Sequence, residues 1–321
     1  MVVPDDTAPR WPLLPAGRGH YESYYLRAVD REEPRGLWIR YTVLVPPDGP
    51  PSGQLWFTLF DKTAPRPWAV RVDVPEPATD EGAWIRLGES VFGPAHVVGA
   101  AAADGRRVSW SLRHSSAEAP LRHLPRDWMY SSRHPRTKLL SPSPSALVDG
   151  EVAVDGRRID VSGWVGMVGH NWGEEHAEEW IWLSGLGFAG TWRDTWLDVA
   201  IGRVRLGPLT SPWVANGALS IGGHRYVLGG LRRRVRVEAS DDRCSVLVPG
   251  PRGVVVGATV SAPRDAFAEW DYASPDGAVS RVLNCSVADL VLSLDRPGAQ
   301  TVELLADGTA AYELGRRVPS S

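Results

Sequence analysis

The chain is written in short alternating runs, and that pattern restricts it to sheets. GLWIRYTVLV (36–45), QLWFTLFD (54–61), WAVRVDV (68–74) and RVSWSLRH (107–114) switch apolar with polar or aromatic positions at period two. That spacing sends successive side chains to opposite faces of a strand. After residue 150 the pattern continues through EVAV, RRIDVSGW, EWIWLSGLGF, TWRDTWLDVAI and RYVLGGL to TVELL and AAYEL near the end. Asp104-Gly105, Asp155-Gly156, Gly222-Gly223 and Asp307-Gly308 fall where hairpin turns are needed. No long window has a helical period, and only GEEHAEEW (173–180) has room for two turns. Many short strands at regular spacing predict antiparallel sandwiches or barrels.

At 321 residues the chain exceeds one ordinary core and fits two units. The expected division is the Ser- and Pro-rich LLSPSPSALVDG (139–150), followed by a fresh hairpin. Before it runs PLRHLPRDWMYSSRHPRTK (120–138), an irregular connection long enough to predict a lid or a packed strap. The net charge of -3 and scattered arginines give no reason to expect nucleic acid or an anionic membrane as partner. The start, MVVPDDTAPRWPLLP, lacks the basic and apolar regions of a secretory leader, and no run of about 18 apolar residues could span a bilayer. A cytoplasmic location is therefore expected. Cys244 and Cys285 could pair but do not make a disulfide framework.

Trp is the unusual residue, 15 against 5 Phe. It is concentrated in GHNWGEEHAEEWIW (169–182), with two His and four Glu. The spacing of His170 and His176 is not that of HExxH, and no metal or cofactor is expected. EEHAEE reads as a solvated turn. In TWRDTWLDVAI, Trp192, Asp194, Trp196 and Asp198 share one face, and aliphatic residues occupy much of the other. Two readings stand: a strand lining a cavity, or a core whose carboxylates cap indole N–H groups. A carboxyl buried among aromatic faces has a raised pKa and can protonate an alkene, and indole faces steady the resulting cation. Water or an internal oxygen then quenches it. On that reading Asp198 donates the proton, His170 orients it or the water, and Trp172, Trp180, Trp182 and Trp196 shape the cavity. Glu22, Trp38 and Trp270 are further candidates for contact with substrate.

The segment from Pro135 to Trp182 resembles the two-barrel lipocalin-like proteins that include carotenoid 1,2-hydratase (hydroxyneurosporene synthase), with tocopherol cyclase-like proteins and lipocalin-like Diels–Alderases as relatives. The resemblance rests on the hairpin from Gly150 to Val161, Gly163-Trp164, and Gly169-His170-Asn171-Trp172-Gly173. It extends loosely to 21–43, where Glu22 and Trp38 match, and to 270–290. It implies an all-β chain of two consecutive antiparallel lipocalin-like β-barrels with little helix. The expected parts are an extended arm at 1–18, a first barrel at 19–145 and a second at 146–321. It also implies action for His170, Trp172 and Asp198, although Trp196 stands where the hydratases carry Tyr and Gly169 where many members carry Asp. The expected partner is an apolar isoprenoid, polyene or polyketide-like molecule, with peripheral membrane contact as a loading route. The expected activity is that of a hydratase or cyclase. A carrier of the same fold that does no chemistry, and a carbohydrate-binding β-protein, are the other readings.

Overall fold

The computed structural model describes residues 7–15, 17–206 and 209–319. It is all-β, with two large antiparallel sheets that each curl into a barrel. The first runs in spatial order Trp68–Pro75, Ser52–Asp61, Arg35–Val45, His20–Val29, Arg157–Gly173, Thr137–Val154, Arg106–Ser115 and His96–Ala103, then through short strands to Ala78–Asp80. The sheet curls back on itself, so that its edge strand Trp68–Pro75 meets the far half: Trp68 Nε1 donates to Asp155, and the Arg106 guanidinium to the Ala69 carbonyl. The second sheet runs His224–Gly229, Val214–Ile221, Trp196–Arg203, Glu179–Gly185, Val302–Arg317, Val279–Asp295, Val255–Ser261, Arg243–Pro249 and Arg236–Ala239. The lipocalin-like two-barrel architecture expected from the resemblance is thus the one observed.

The strand pairing departs from the expected division at 145/146. Residues 146–173 pair within the first sheet, so the passage between sheets falls at 174–178. LLSPSPSALVDG is not a linker but part of the strand Thr137–Val154. Its register slips between Leu140 and Ser143 and again between Ser143 and Ala146, so Pro142 and Pro144 sit where the ladder is already interrupted and no N–H is missed. GEEHAEEW forms no helix. Asp307-Gly308 is not a turn: it lies inside Val302–Arg317, where Gly308 has φ of +62° and its N–H donates to Asp289 at 2.8 Å. By contrast Asp104-Gly105, Asp155-Gly156 and Gly222-Gly223 all adopt the positive φ values that tight hairpins require. Of the expected arm, residues 1–6 and 16 lie outside the described residues. Trp11–Leu13 forms a 3-10 turn.

One strand explains how the barrels join. Every residue of His20–Val29 is buried, because both of its faces are covered. Tyr24, Leu26 and Ala28 point into the first barrel, while Tyr25 and Val29 pack with the second. Arg27, on that outer face, donates to the carbonyls of Ser286 at 2.9 Å and Thr309 at 2.6 Å. Burial brings its pKa down to about 9, and the guanidinium fastens the second barrel to the first. Cys244 and Cys285 are both buried and free.

Candidate functional site

The same alternation builds a cavity of about 210 Å³ where the barrels face each other. Tyr21, Tyr25, Trp38 and Arg40 reach it from the first sheet, and Trp180 and Trp182 from the second. The strap 120–138 closes one side with His123, Leu124, Met129 and Pro135. The walls are thus mainly the outer faces of two barrels, not the interior of the second one.

Asp198 is 1% exposed and sits behind this wall. Its carboxylate accepts from Trp182 Nε1 at 2.9 Å and from Ser141 Oγ at 2.5 Å, and lies 3.4 Å from His123 Nε2. His123 Nδ1 lies 3.2 Å from the Asn216 carbonyl, which can only accept, and Nε2 lies 3.1 Å from Ser141 Oγ. With an acceptor carbonyl at Nδ1 and the Ser141 hydroxyl and Asp198 carboxylate at Nε2, the surroundings of His123 favour the imidazolium. Burial opposes both charges, yet the pair prevails: Asp198 is held below the ordinary carboxylate range, and His123 is raised above 6.5. The expectation of a protonated Asp198 is therefore corrected. Desolvation acts as anticipated, but the imidazolium and two hydrogen bonds outweigh it.

Arg40, 4% exposed, lines the same cavity. Its guanidinium stands 4.0 Å from the Tyr272 ring centroid, 5.7 Å from that of Trp56 and 5.9 Å from that of Trp38. Its Nε has no hydrogen-bond partner. Glu313 also lines the cavity and accepts from Trp180 Nε1 at 2.8 Å, Asn284 at 2.9 Å and Tyr272 at 3.3 Å. His176 stacks between Tyr21 at 4.0 Å and Trp180 at 5.6 Å. Burial and the Arg40 charge push its pKa down to about 3, so it is neutral.

The residues expected to converge are divided between two places. Trp38, Trp180 and Trp182 line the cavity, and Asp198 reaches it through His123. His170, Glu22 and Trp172 point instead into the first barrel, because His170 pairs with Tyr24 and Trp172 with Glu22 across the ladder. His170 Nε2 binds Glu22 at 2.8 Å, and its ring stacks on Tyr24 and Trp172. His170 and His176 therefore cannot share a metal. Glu22 serves the arm, accepting from the backbone N–H of Arg10 at 2.9 Å and of Trp11 at 2.8 Å; burial raises its pKa, but the bonds from His170 and His20 outweigh that and bring it down to about 2. Trp196 is fully buried between the barrels with Arg225 5.0 Å from its ring, and Trp270 packs on Trp56 at 5.2 Å; neither lines the cavity. Trp192 and Asp194 precede the strand, and Trp192 is exposed.

Three groups escaped the sequence reading. His123 carries no local motif; its only signal was its place in an unusually long connection. Arg40 alternates with apolar residues and reads as solvent-facing, as does Glu313 in AAYEL.

No protein-family profile and no curated protein matches the sequence. Solved structures do match the fold. CghA in complex with Sch210972 aligns at TM-score 0.64 and 15% identity, covering 99% of this chain and 94% of that one. Kievitone hydratase from Nectria haematococca aligns at TM-score 0.53 and 11% identity, covering 100% and 94%. A Nitrosomonas europaea protein provisionally assigned as AttH aligns at 0.54 and 14%, covering 98% and 96%. The chain has the lipocalin-like two-barrel fold of these proteins.

Proposed function

We propose that the chain is a lipocalin-like enzyme of the hydratase or cyclase type, acting on an unsaturated isoprenoid, polyene or polyketide-like molecule in the cavity between its barrels. The carrying observation is the buried His123–Asp198 pair opening onto an aromatic cavity that the Arg40 cation also lines. In this reading Asp198 is not the acid. His123 delivers a proton from Nδ1 to an alkene carbon, and Asp198 keeps the imidazole protonated between turnovers. An imidazolium is a modest acid, so the alkene must be conjugated to an electron-withdrawing group such as a carbonyl. Arg40 draws charge onto that oxygen, the kind of fixed electrostatic aid that acts strongly where water is excluded. Water, or an oxygen of the same molecule, adds to the electron-poor carbon and its proton returns to His123. The names of the structural neighbours support the class: one is a hydratase, and another was solved with a bound small molecule. Leu231 at the cavity rim and Trp128 of the strap, both exposed, support loading from a membrane surface.

A carrier is the second reading, favoured by one fact: both nitrogens of His123 already have protein partners. Mass spectrometry of molecules released from the wild type and from His123→Gln separates the two. The enzyme reading expects the variant to hold a precursor lighter by one water, or an isomer of different retention time. If both proteins release one and the same compound, the chain is a carrier.

A further inference from the structure

Arg40 is the only Arg or Lys among the described residues that line the cavity between the barrels. A buried cation is costly unless an anion or a set of carbonyls meets it. Arg27, on the same face of the neighbouring strand, takes the second course and bonds two carbonyls of the other barrel. Among the described residues Arg40 has neither a carboxylate in ion-pair distance nor a backbone carbonyl as acceptor, and its Nε has no partner at all. Around it stand the rings of Tyr272, Trp56 and Trp38. Ring faces steady a cation without neutralising it. The Tyr272 hydroxyl stays neutral too, since burial pushes its pKa further up.

The other charges of the wall are already engaged. Asp198 is matched by His123, and His176 is neutral. Both oxygens of Glu313 are taken, Oε1 by Trp180 Nε1 and Oε2 by Asn284 and the Tyr272 hydroxyl. Glu313 thus meets the hydroxyl of Tyr272 and Arg40 meets the face of the same ring, so the two charges do not pair. One cation is left for a ligand to match. A neutral carbonyl would leave that buried charge unbalanced, and a multiply charged phosphate would bring more charge than one guanidinium offsets. A carboxylate carries a single charge on two oxygens, the pattern to which a guanidinium fork donates paired, charge-assisted bonds. Ile181, Ile201, Val204 and Leu231 leave the rest of the wall apolar, suited to a hydrocarbon body.

We propose that the occupant of the cavity is an unsaturated carboxylic acid, held as its carboxylate on Arg40. This rests on the cavity being the ligand site, as proposed above, and holds for an enzyme and a carrier alike. In the enzyme the carboxylate, conjugated to the alkene, is the electron-withdrawing group, and Arg40 offsets its charge. The test is calorimetric titration at neutral pH with geranic acid, an unsaturated isoprenoid acid, beside its methyl ester and the matching alcohol, geraniol. Wild type should bind the acid about tenfold or more tighter than either neutral compound. Arg40→Met should lose that preference and still bind the ester, which also reports an intact cavity. A second readout needs no substitution: the Arg40 Nε–H resonance of nitrogen-labelled wild type should move with geranic acid and hold its place with the ester. A preference that survives Arg40→Met, or a resonance that answers both compounds equally, overturns the proposal. Equal binding of acid, ester and alcohol by wild type also overturns it, while leaving the cavity as the ligand site. Binding of none of the three removes the cavity reading itself, and this proposal with it.

Discussion

The imidazole of His123 lies 3.4 Å from the carboxylate of Asp198, which also accepts from Ser141 Oγ and Trp182 Nε1. Histidine NMR should show His123 titrating above 6.5, whereas Asp198→Asn should move its midpoint below that value. His176 should remain neutral down to about pH 3 in both proteins. A midpoint for His123 that ignores the Asn substitution would remove the ion pair from the account.

The same pair has a stability signature. His123 is raised, so its contribution is complete below 6.5 and fades as pH rises through its folded value. Asp198 is depressed, so its contribution is present above 3.8 and is lost as pH falls through its folded value. Breaking a buried pair costs about 3 kcal/mol or more. The melting-temperature gap between wild type and Asp198→Asn should be widest between those limits and narrow in alkali.

Arg27 leads to a different expectation, because it bonds carbonyls and no carboxylate. Arg27→Ala leaves the Ser286 and Thr309 oxygens without a donor in a dry interface, at about 1–3 kcal/mol per group. Urea unfolding should show a lower midpoint, with signals from the two barrels separating. Unchanged unfolding would mean that Arg27 does not fasten the barrels.

Glu22 should behave as an anchor for the arm. Its pKa of about 2 means it stabilises the fold above 4.5 and loses that effect in strong acid. Glu22→Gln should speed tryptic cleavage after Arg10 while leaving the bound compound unchanged in mass. A changed compound with an intact arm would return Glu22 to the substrate.

Arg40→Met keeps the length of the side chain and removes the cation. Loss of one fixed electrostatic aid lowers turnover by about a hundredfold in comparable sites. Single-turnover kinetics on the released precursor should show that loss with the fold intact by circular dichroism. An undiminished rate would leave Arg40 as packing for Tyr272 and nothing more.

Which strands form was readable from alternation alone, and three of four turn dipeptides fell at real hairpins. Of the Trp-rich stretch, Trp180 and Trp182 line the cavity between the barrels and Trp172 does not. The sequence reading failed at Pro142 and Pro144, whose usual meaning is a break, because bulges already interrupt the ladder there. It failed again at Asp307-Gly308, where the positive φ of a glycine serves a bulge inside one long strand.

Period two tells only that neighbours part company; it does not say what each side meets. His170 and Trp172 obey the same alternation as Trp180 and Trp182, yet face another barrel. The chain by itself determined sheets, their number of units and a store of indoles and carboxylates. Tertiary structure decided the protonation of Asp198 and the burial of Arg40, because both depend on residues from distant strands and the strap: His123 and Ser141 for one, Trp38, Trp56 and Tyr272 for the other. Electrostatics falls off with distance in space, and distance along the chain has no part in it.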